Sequence, residues 1–231
     1  MPSNPLGASY SGAELAALGD VLASHDRCLV LSDEIYEHIL FDDWTFTSFA
    51  AVCPDLADRV LTVNGVPKAY AMTGWRIGYG AGHPDLIAAM VKVQSQISSG
   101  ACSVAQAAAT AALTGPQTDV ARFRTAFQDR RDLVVARVAD IPGLTLDPLA
   151  GAFYAYIGCA GLIGAHTPAG TVLTDDAAVT AYLLSDAGVA AVPGAAYGLS
   201  PYFRISTATA PKTLNTALTR IAGALAKLDL T

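Results

Sequence analysis

Three short apolar runs, each followed at once by polar or glycine-rich residues, constrain this chain most. Cys28-Leu29-Val30-Leu31-Ser32 runs into Asp33, and Arg59-Val60-Leu61-Thr62-Val63 runs into Asn64-Gly65. Near-continuous apolarity over so few residues is the pattern of strands covered on both faces in a parallel sheet. Trp75-Arg76-Ile77-Gly78-Tyr79-Gly80 reads as a third strand. Helical patterns separate the runs. Ser11 and Glu14 form a Ser-x-x-Glu capping box for a helix with Leu15, Leu18 and Leu22 on one face, Pro84 to Gln96 reads as a helix, and Val104 to Thr114 as an alanine-rich one. Open α/β sheets hold ligands at the carboxyl ends of their strands, so Asp33 and the residues after Val63 stand where chemistry is expected.

Gly115-Pro116 closes the alanine-rich helix and precedes a long charged one containing Arg122, Arg124, Arg130, Arg131, Asp132 and Arg137. This change of composition predicts a boundary, with an α/β part over 1–116 and a smaller α+β part over 117–231. In the second part, Gly143–Leu146, Ala152–Ile157, Val189–Val192 and Phe203–Ser206 read as short strands, with helices near 175–187 and 211–228. Gly158 to Thr171, rich in Gly, Ala and Pro, reads as a surface loop.

The composition excludes several classes. Of 231 residues 52% are hydrophobic and 15% charged, which requires extensive burial, and a net charge of −6 disfavours nucleic-acid or anionic-membrane binding. No apolar run approaches the roughly 18 residues of a spanning helix, and the amino terminus lacks the basic and apolar regions of a signal peptide. A cytoplasmic protein is expected. Cys28, Cys53, Cys102 and Cys159 form no Cys-x-x-Cys pair, so neither metal ligation nor a disulfide framework is expected, and the four read as buried free thiols.

The chemistry-bearing motif is Asn64-Gly65-Val66-Pro67-Lys68-Ala69-Tyr70-Ala71-Met72-Thr73-Gly74-Trp75-Arg76, with Ser32-Asp33-Glu34-Ile35-Tyr36 upstream and Tyr202-Phe203-Arg204-Ile205-Ser206 downstream. A lone lysine or arginine is most often a solvated surface charge. An acid, a lysine and two arginines in this order are far more specific. Together they resemble the active site of the class I/II, fold-type I pyridoxal-phosphate-dependent aminotransferases, particularly the bacterial aspartate/aromatic branch. The resemblance implies the carboxyl-terminal part of a large cofactor-binding domain with a mainly parallel sheet, then a small α+β carboxyl-terminal domain. It also implies pyridoxal 5'-phosphate as cofactor, an amino acid and a 2-oxo acid as substrates with a lean to aspartate, and a homodimer.

Each role has a chemical reason. Transamination delocalises a carbanion into a protonated pyridine ring, so a carboxylate must hold the ring nitrogen's proton, and Asp33 matches it. Tyr36 corresponds to a donor to the ring 3-oxygen, and Asn4 would share that oxygen. Lys68 matches the amine that bonds the cofactor aldehyde and shuttles the proton. Arg76 matches the phosphate-binding arginine and Arg204 the clamp on the substrate α-carboxylate, both through the planar fork that suits such anions. Val192-Pro193-Gly194 and Pro148 to Tyr154 resemble landmarks beside the substrate entrance, read first as structural, and Ser98 to Ser103 resembles a segment facing a partner subunit.

Departures from the family pattern accompany the matches. Pro2-Ser3-Asn4-Pro5-Leu6-Gly7 is similar to the family's Asn-Pro-x-Asn-Pro-Thr-Gly turn, with the first Asn gone and Leu6 in place of Thr. In family members a segment before this turn supplies a phosphate-binding helix start and an aromatic stacked on the cofactor, and neither is found here. Pro67 before the lysine removes a backbone donor and biases Val66 toward extended geometry. The readings are an aminotransferase lacking its amino-terminal segment or, alternatively, a non-catalytic remnant acting as a binding or assembly module.

Overall fold

A computed structural model describes residues 1–229. The chain folds as two compact units, one of Met1–Pro2 with Ala8–Arg124, the other of Ser3–Gly7 with Thr125 onward. The change of unit along the chain falls inside the long charged helix, after the Gly115-Pro116 pair.

In the first unit, α1 (Gly12–Ala23) starts at the capping box: Ser11 Oγ accepts from the Glu14 N–H, and the Glu14 carboxylate accepts from the Ser11 N–H at 2.8 Å. Then follow β1 (Val30–Asp33), α2 (Phe49–Val52), β2 (Val60–Gly65), β3 (Gly78–Ala81), α3 (Pro84–Ile97) and α4 (Ser103–Thr114), after which α5 (Thr118–Ala139) contains the change of unit at Arg124. The strands form one sheet in the order β1-β2-β3. β1 runs parallel to β2, with Val30 opposite Val60 and Asp33 opposite Val63, and β3 is antiparallel to β2. Leu15, Phe49, Cys53, Leu56 and Val60 form one core, and Val66, Ile77, Ala105 and Ala109 another.

Two expectations fail in this unit. The strand expected over 75–80 begins only at Gly78, because Thr73–Trp75 is a short 3-10 turn and Arg76 has φ 57, a left-handed backbone that cannot continue a strand. Nor is β1 covered on both faces: Leu29 and Leu31 are 74% and 65% exposed, and Leu18 of α1 is exposed too. No residue of α3 is buried, and its Met90, Val91, Val93 and Ile97 lie open. An apolar face of this kind marks a packing or interaction surface.

The second unit contains β4 (Tyr154–Gly158), α6 (Asp176–Ala187), β5 (Val192–Pro193), β6 (Tyr202–Ser206) and α7 (Pro211–Leu225), with an antiparallel sheet ordered β4-β6-β5. Its core joins Val134 and Val138 of α5, Ile157, Phe203, Leu183 and one face of α7, where Leu214, Leu218, Ile221 and Leu225 recur at helical spacing. The strand expected at Gly143–Leu146 reduces to a single bridge from Thr145 to Gly158. The loop expected at the surface over 158–171 instead buries Cys159, Leu162 and Ala165, since a short 3-10 turn, Ala160–Leu162, carries Leu162 into the core.

All four cysteines are free, but only Cys53 and Cys159 are buried; Cys28 and Cys102 are exposed, which corrects the expectation for those two. Among the described residues no helix is long and apolar enough to cross a membrane.

Two outcomes follow from this packing. A Cβ on Gly65 would lie 2.8 Å from the Ile77 carbonyl oxygen, so Gly65→Ala is expected to strain the β2–β3 pairing. A loss of about 1–3 kcal/mol in a denaturant melt is the scale of such overpacking. Burial, with the negative charge of Asp176 as the smaller cause, pushes the Cys159 thiol from 9.0 up to about 12. Because the folded state holds this proton more tightly, the stabilisation is complete below the unfolded pKa and is lost as pH rises through the window to the folded one. Thermal melts between pH 8.5 and 11.5 are therefore expected to fall, and Cys159→Ala to flatten that fall.

Candidate active site

Asp33 ends β1 opposite Val63, and the chain turns at once: the Glu34 N–H donates to the Val63 carbonyl at 2.8 Å and the Ile35 N–H to Asp33 Oδ1 at 3.2 Å. The side chain of Asp33 is exposed. Its neighbour behaves oppositely. Glu34 is 4% exposed, and one of its oxygens accepts the hydroxyls of Ser32 at 3.0 Å and Ser48 at 2.7 Å. Glu34 thus anchors the turn from inside while Asp33 stays available at the carboxyl end of the strand. The turn also delivers Tyr36, whose ring is buried and lies 6.0 Å from Lys68 Nζ.

Lys68 follows β2. Val66 is fully buried and its N–H still donates to the Ile77 carbonyl at 3.4 Å, so pairing continues up to Pro67, which then turns the chain. Lys68 is half-buried in that turn, its carbonyl accepting from the Ala71 N–H at 3.2 Å. Ala71 and Arg76 are both left-handed, with φ of 53 and 57. This costs roughly 1–2 kcal/mol per non-glycine residue, and such strain concentrates at functional sites. Arg76 is exposed, and its Nη1 donates to the Thr73 carbonyl at 3.1 Å.

These four residues lie in one unit; Asn4 and Arg204 lie in the other. Arg204, on β6, is held on several sides. The rings of Tyr154 and Tyr197 lie 4.5 and 5.1 Å from its guanidinium carbon, and Nη1 donates to Asn4 Oδ1 at 2.7 Å. Its Nε is buried without a hydrogen-bond partner. An unmet buried donor costs about 1–3 kcal/mol. A carboxylate taking the Nε–Nη2 edge bidentately would remove that cost. Asn4, expected at the cofactor, spends its amide oxygen on Arg204 and has its N–H2 group left to offer a ligand.

The sequence named Tyr154 only as the end of the 148–154 landmark segment and did not single out Tyr197 or the buried Asp176. The strand register carries a signal for the first: Tyr156 is opposite Arg204, so Tyr154 is its diagonal neighbour on the same face. Nothing local marks the other two.

The donor sets can be stated as chemistry. An exposed carboxylate suits a pyridinium proton, a half-buried amine over a phenol suits an aldehyde, and two guanidinium forks suit a phosphate and a carboxylate. Residues 1–221 match the family described as aminotransferase class I and II. The aspartate/prephenate aminotransferase of Cereibacter sphaeroides is 54% identical over 220 residues, 95% of this chain and 55% of that protein. The crystal structure of the aspartate aminotransferase from Rhizobium meliloti superposes with a TM-score of 0.96 at 51% identity, covering 99% of this chain and 57% of the other. An aspartate aminotransferase from Thermus thermophilus, solved with maleate, gives 0.84 at 36% identity, over 96% and 55%. The chain therefore spans about half the length of the relatives it matches. It shares the architecture of the carboxyl-terminal part of these fold-type I enzymes, an α/β unit followed by an α+β one, and it belongs to the class I and II aminotransferase family.

Proposed function

We propose that this chain carries the cofactor- and substrate-holding residues of a pyridoxal-phosphate-dependent aminotransferase that moves an amino group between an amino acid, aspartate-like by preference, and a 2-oxo acid. The observation that carries the reading is Lys68 Nζ lying 6.0 Å from the Tyr36 ring centroid, close to the carboxyl ends of the parallel pair β1 and β2. The names of the relatives support aspartate as donor, and maleate in the Thermus thermophilus structure supports a dicarboxylate site.

When bound, pyridoxal phosphate supplies the electron sink that stabilises negative charge at the amino acid's α-carbon. The donor set of the first unit fits it. Asp33 would hold the proton on the ring nitrogen. Tyr36 would donate its hydroxyl to the ring 3-oxygen. Arg76 would bind the phosphate. Lys68 would bond the aldehyde and afterwards move the proton to and from the α-carbon. Arg204, pre-ordered between two tyrosines, would take the α-carboxylate without first having to immobilise a long side chain.

The same proposal assigns 1–116 to the partial cofactor-binding domain and 117–231 to the small domain, and includes a cytoplasmic homodimer, which the open apolar residues of the first unit support. A second reading, a non-catalytic binding or assembly module, is favoured by one observation: α3 buries none of its residues.

Incubation with pyridoxal phosphate, borohydride reduction and peptide mass mapping separate the two readings. Label on Lys68 is expected, and label confined to other lysines would leave only the second. For the arginines, removing a charge-assisted fork costs roughly 1.5–3 kcal/mol. Arg76→Ala is expected to weaken pyridoxal phosphate by that amount in a fluorescence titration, and Arg204→Ala to leave it nearly unchanged while weakening aspartate. Equal loss of the cofactor in both variants would contradict this division of roles.

A further inference from the structure

Asp176 is a carboxylate that the proposed chemistry does not use. It lies in the first turn of α6, is 1% exposed, and its Oδ2 is the acceptor for three donors from one loop: the Ala195 N–H at 3.1 Å, the Ser200 hydroxyl at 2.6 Å and the Tyr202 N–H at 3.4 Å. Helix capping is handled by the residue before it, since Asp175 accepts from the Ala178 N–H at 2.8 Å. A buried carboxylate is tolerated only when it is well hydrogen-bonded, so the loop over 194–202 and Asp176 hold each other in place.

That loop faces Arg204. It contains the short 3-10 turn Gly194–Tyr197, then Gly198 with φ 75, and it enters β6 at Tyr202, two residues before Arg204. Tyr156 Oη donates to the Leu199 carbonyl at 2.7 Å, and the Tyr156 ring stacks on Tyr202 at 5.0 Å. The close approach of Gly194 to the Leu199 carbonyl leaves no room for a Cβ. The result is a rigid turn whose Tyr197 ring is set 5.1 Å from the Arg204 guanidinium.

We propose that Asp176 is a positioning residue for carboxylate binding: by holding the 194–202 turn it fixes Tyr197 over Arg204 and so keeps the guanidinium in one orientation, with its Nε–Nη2 edge ready for a substrate carboxylate. The inference rests on the reading of Arg204 as the carboxylate clamp, and it adds a role to a residue that touches no ligand. Without Asp176 the loop loses the acceptor its three donors share, and the tyrosine on it no longer holds the arginine.

The test uses the full chain, with nitrogen-15 labelled arginine and maleate as the carboxylate probe. In the wild type the Arg204 Nε–Hε resonance, assigned by its absence in Arg204→Lys, is expected to be ring-current shifted. Asp176→Asn is expected to lose the part of that shift that Tyr197 contributes and to weaken maleate by roughly three- to tenfold, the scale of leaving one long side chain unordered before binding. Tyr197→Ala, which leaves the buried carboxylate untouched, is expected to reproduce both effects should Asp176→Asn not fold, and Ser200→Ala to produce a smaller version. Maleate affinity in Arg204→Lys equal to wild type would overturn the clamp reading itself. With Arg204→Lys impaired, a normal Arg204 resonance and normal affinity in Asp176→Asn, or in Tyr197→Ala, would overturn the positioning role alone.

Discussion

The parallel pairing of β1 with β2 is the constraint on which the first unit's candidate site depends. Val30 opposite Val60 and Asp33 opposite Val63 fix where both strands stop, and the two segments that follow them carry Asp33, Tyr36 and Lys68. Side chains alternate faces along a strand, so a one-residue slip would bury Asp33 and expose Glu34. The hydrogen bond from the Glu34 N–H to the Val63 carbonyl extends the register one residue past the strand, and the buried Glu34 side chain, satisfied by Ser32 and Ser48, makes a slip costly.

Arg204 is held by a different logic. In the first unit, position comes from backbone register; in the second it comes from side chains closing around one guanidinium. Two aromatic faces and the Asn4 oxygen restrict it, and its Nε is left with an unmet donor. A binding group that is both ordered and under-satisfied gains on two counts when a carboxylate arrives: no rotamer entropy remains to be lost, and a buried N–H acquires its acceptor.

Much of this was legible in the sequence because it is local. The capping box of α1, the two strands ending in Asp33 and Gly65, and the spacing from Lys68 to Arg76 are all set by neighbours within a few residues. The misreadings come from backbone conformation and from packing that composition does not record. Trp75-Arg76-Ile77 looks like a strand by composition, yet the left-handed Arg76 keeps the chain out of the ladder until Gly78. The Gly- and Ala-rich stretch after Gly158 looks like a surface loop because small residues favour turns, yet Leu162 is drawn into a core built by residues far away in sequence. Leu29 and Leu31 look doubly buried because apolarity records what a strand can face, whereas exposure depends on which surfaces are covered. The ring of Tyr197 over Arg204 depends on a loop closed by Asp176, about twenty residues earlier, and no local pattern announces such a closure.

Two pairs of adjacent carboxylates show how position sorts chemically similar groups. Asp33 and Glu34 stand at the end of a strand, where consecutive side chains point to opposite faces, so one is exposed and the other is buried against hydroxyl donors. Asp175 and Asp176 stand at the start of a helix, where the first caps the backbone and the second turns inward to gather a loop. In each pair, one carboxylate is spent satisfying nearby groups at its own turn or helix end. The other faces the proposed chemistry, directly for Asp33 as the carboxylate proposed to hold the ring-nitrogen proton and indirectly for Asp176, whose three donors belong to the turn proposed to orient Arg204. A count of acidic residues near a motif therefore does not identify the reactive one; the direction of the side chain and the donors it already satisfies decide which remains available.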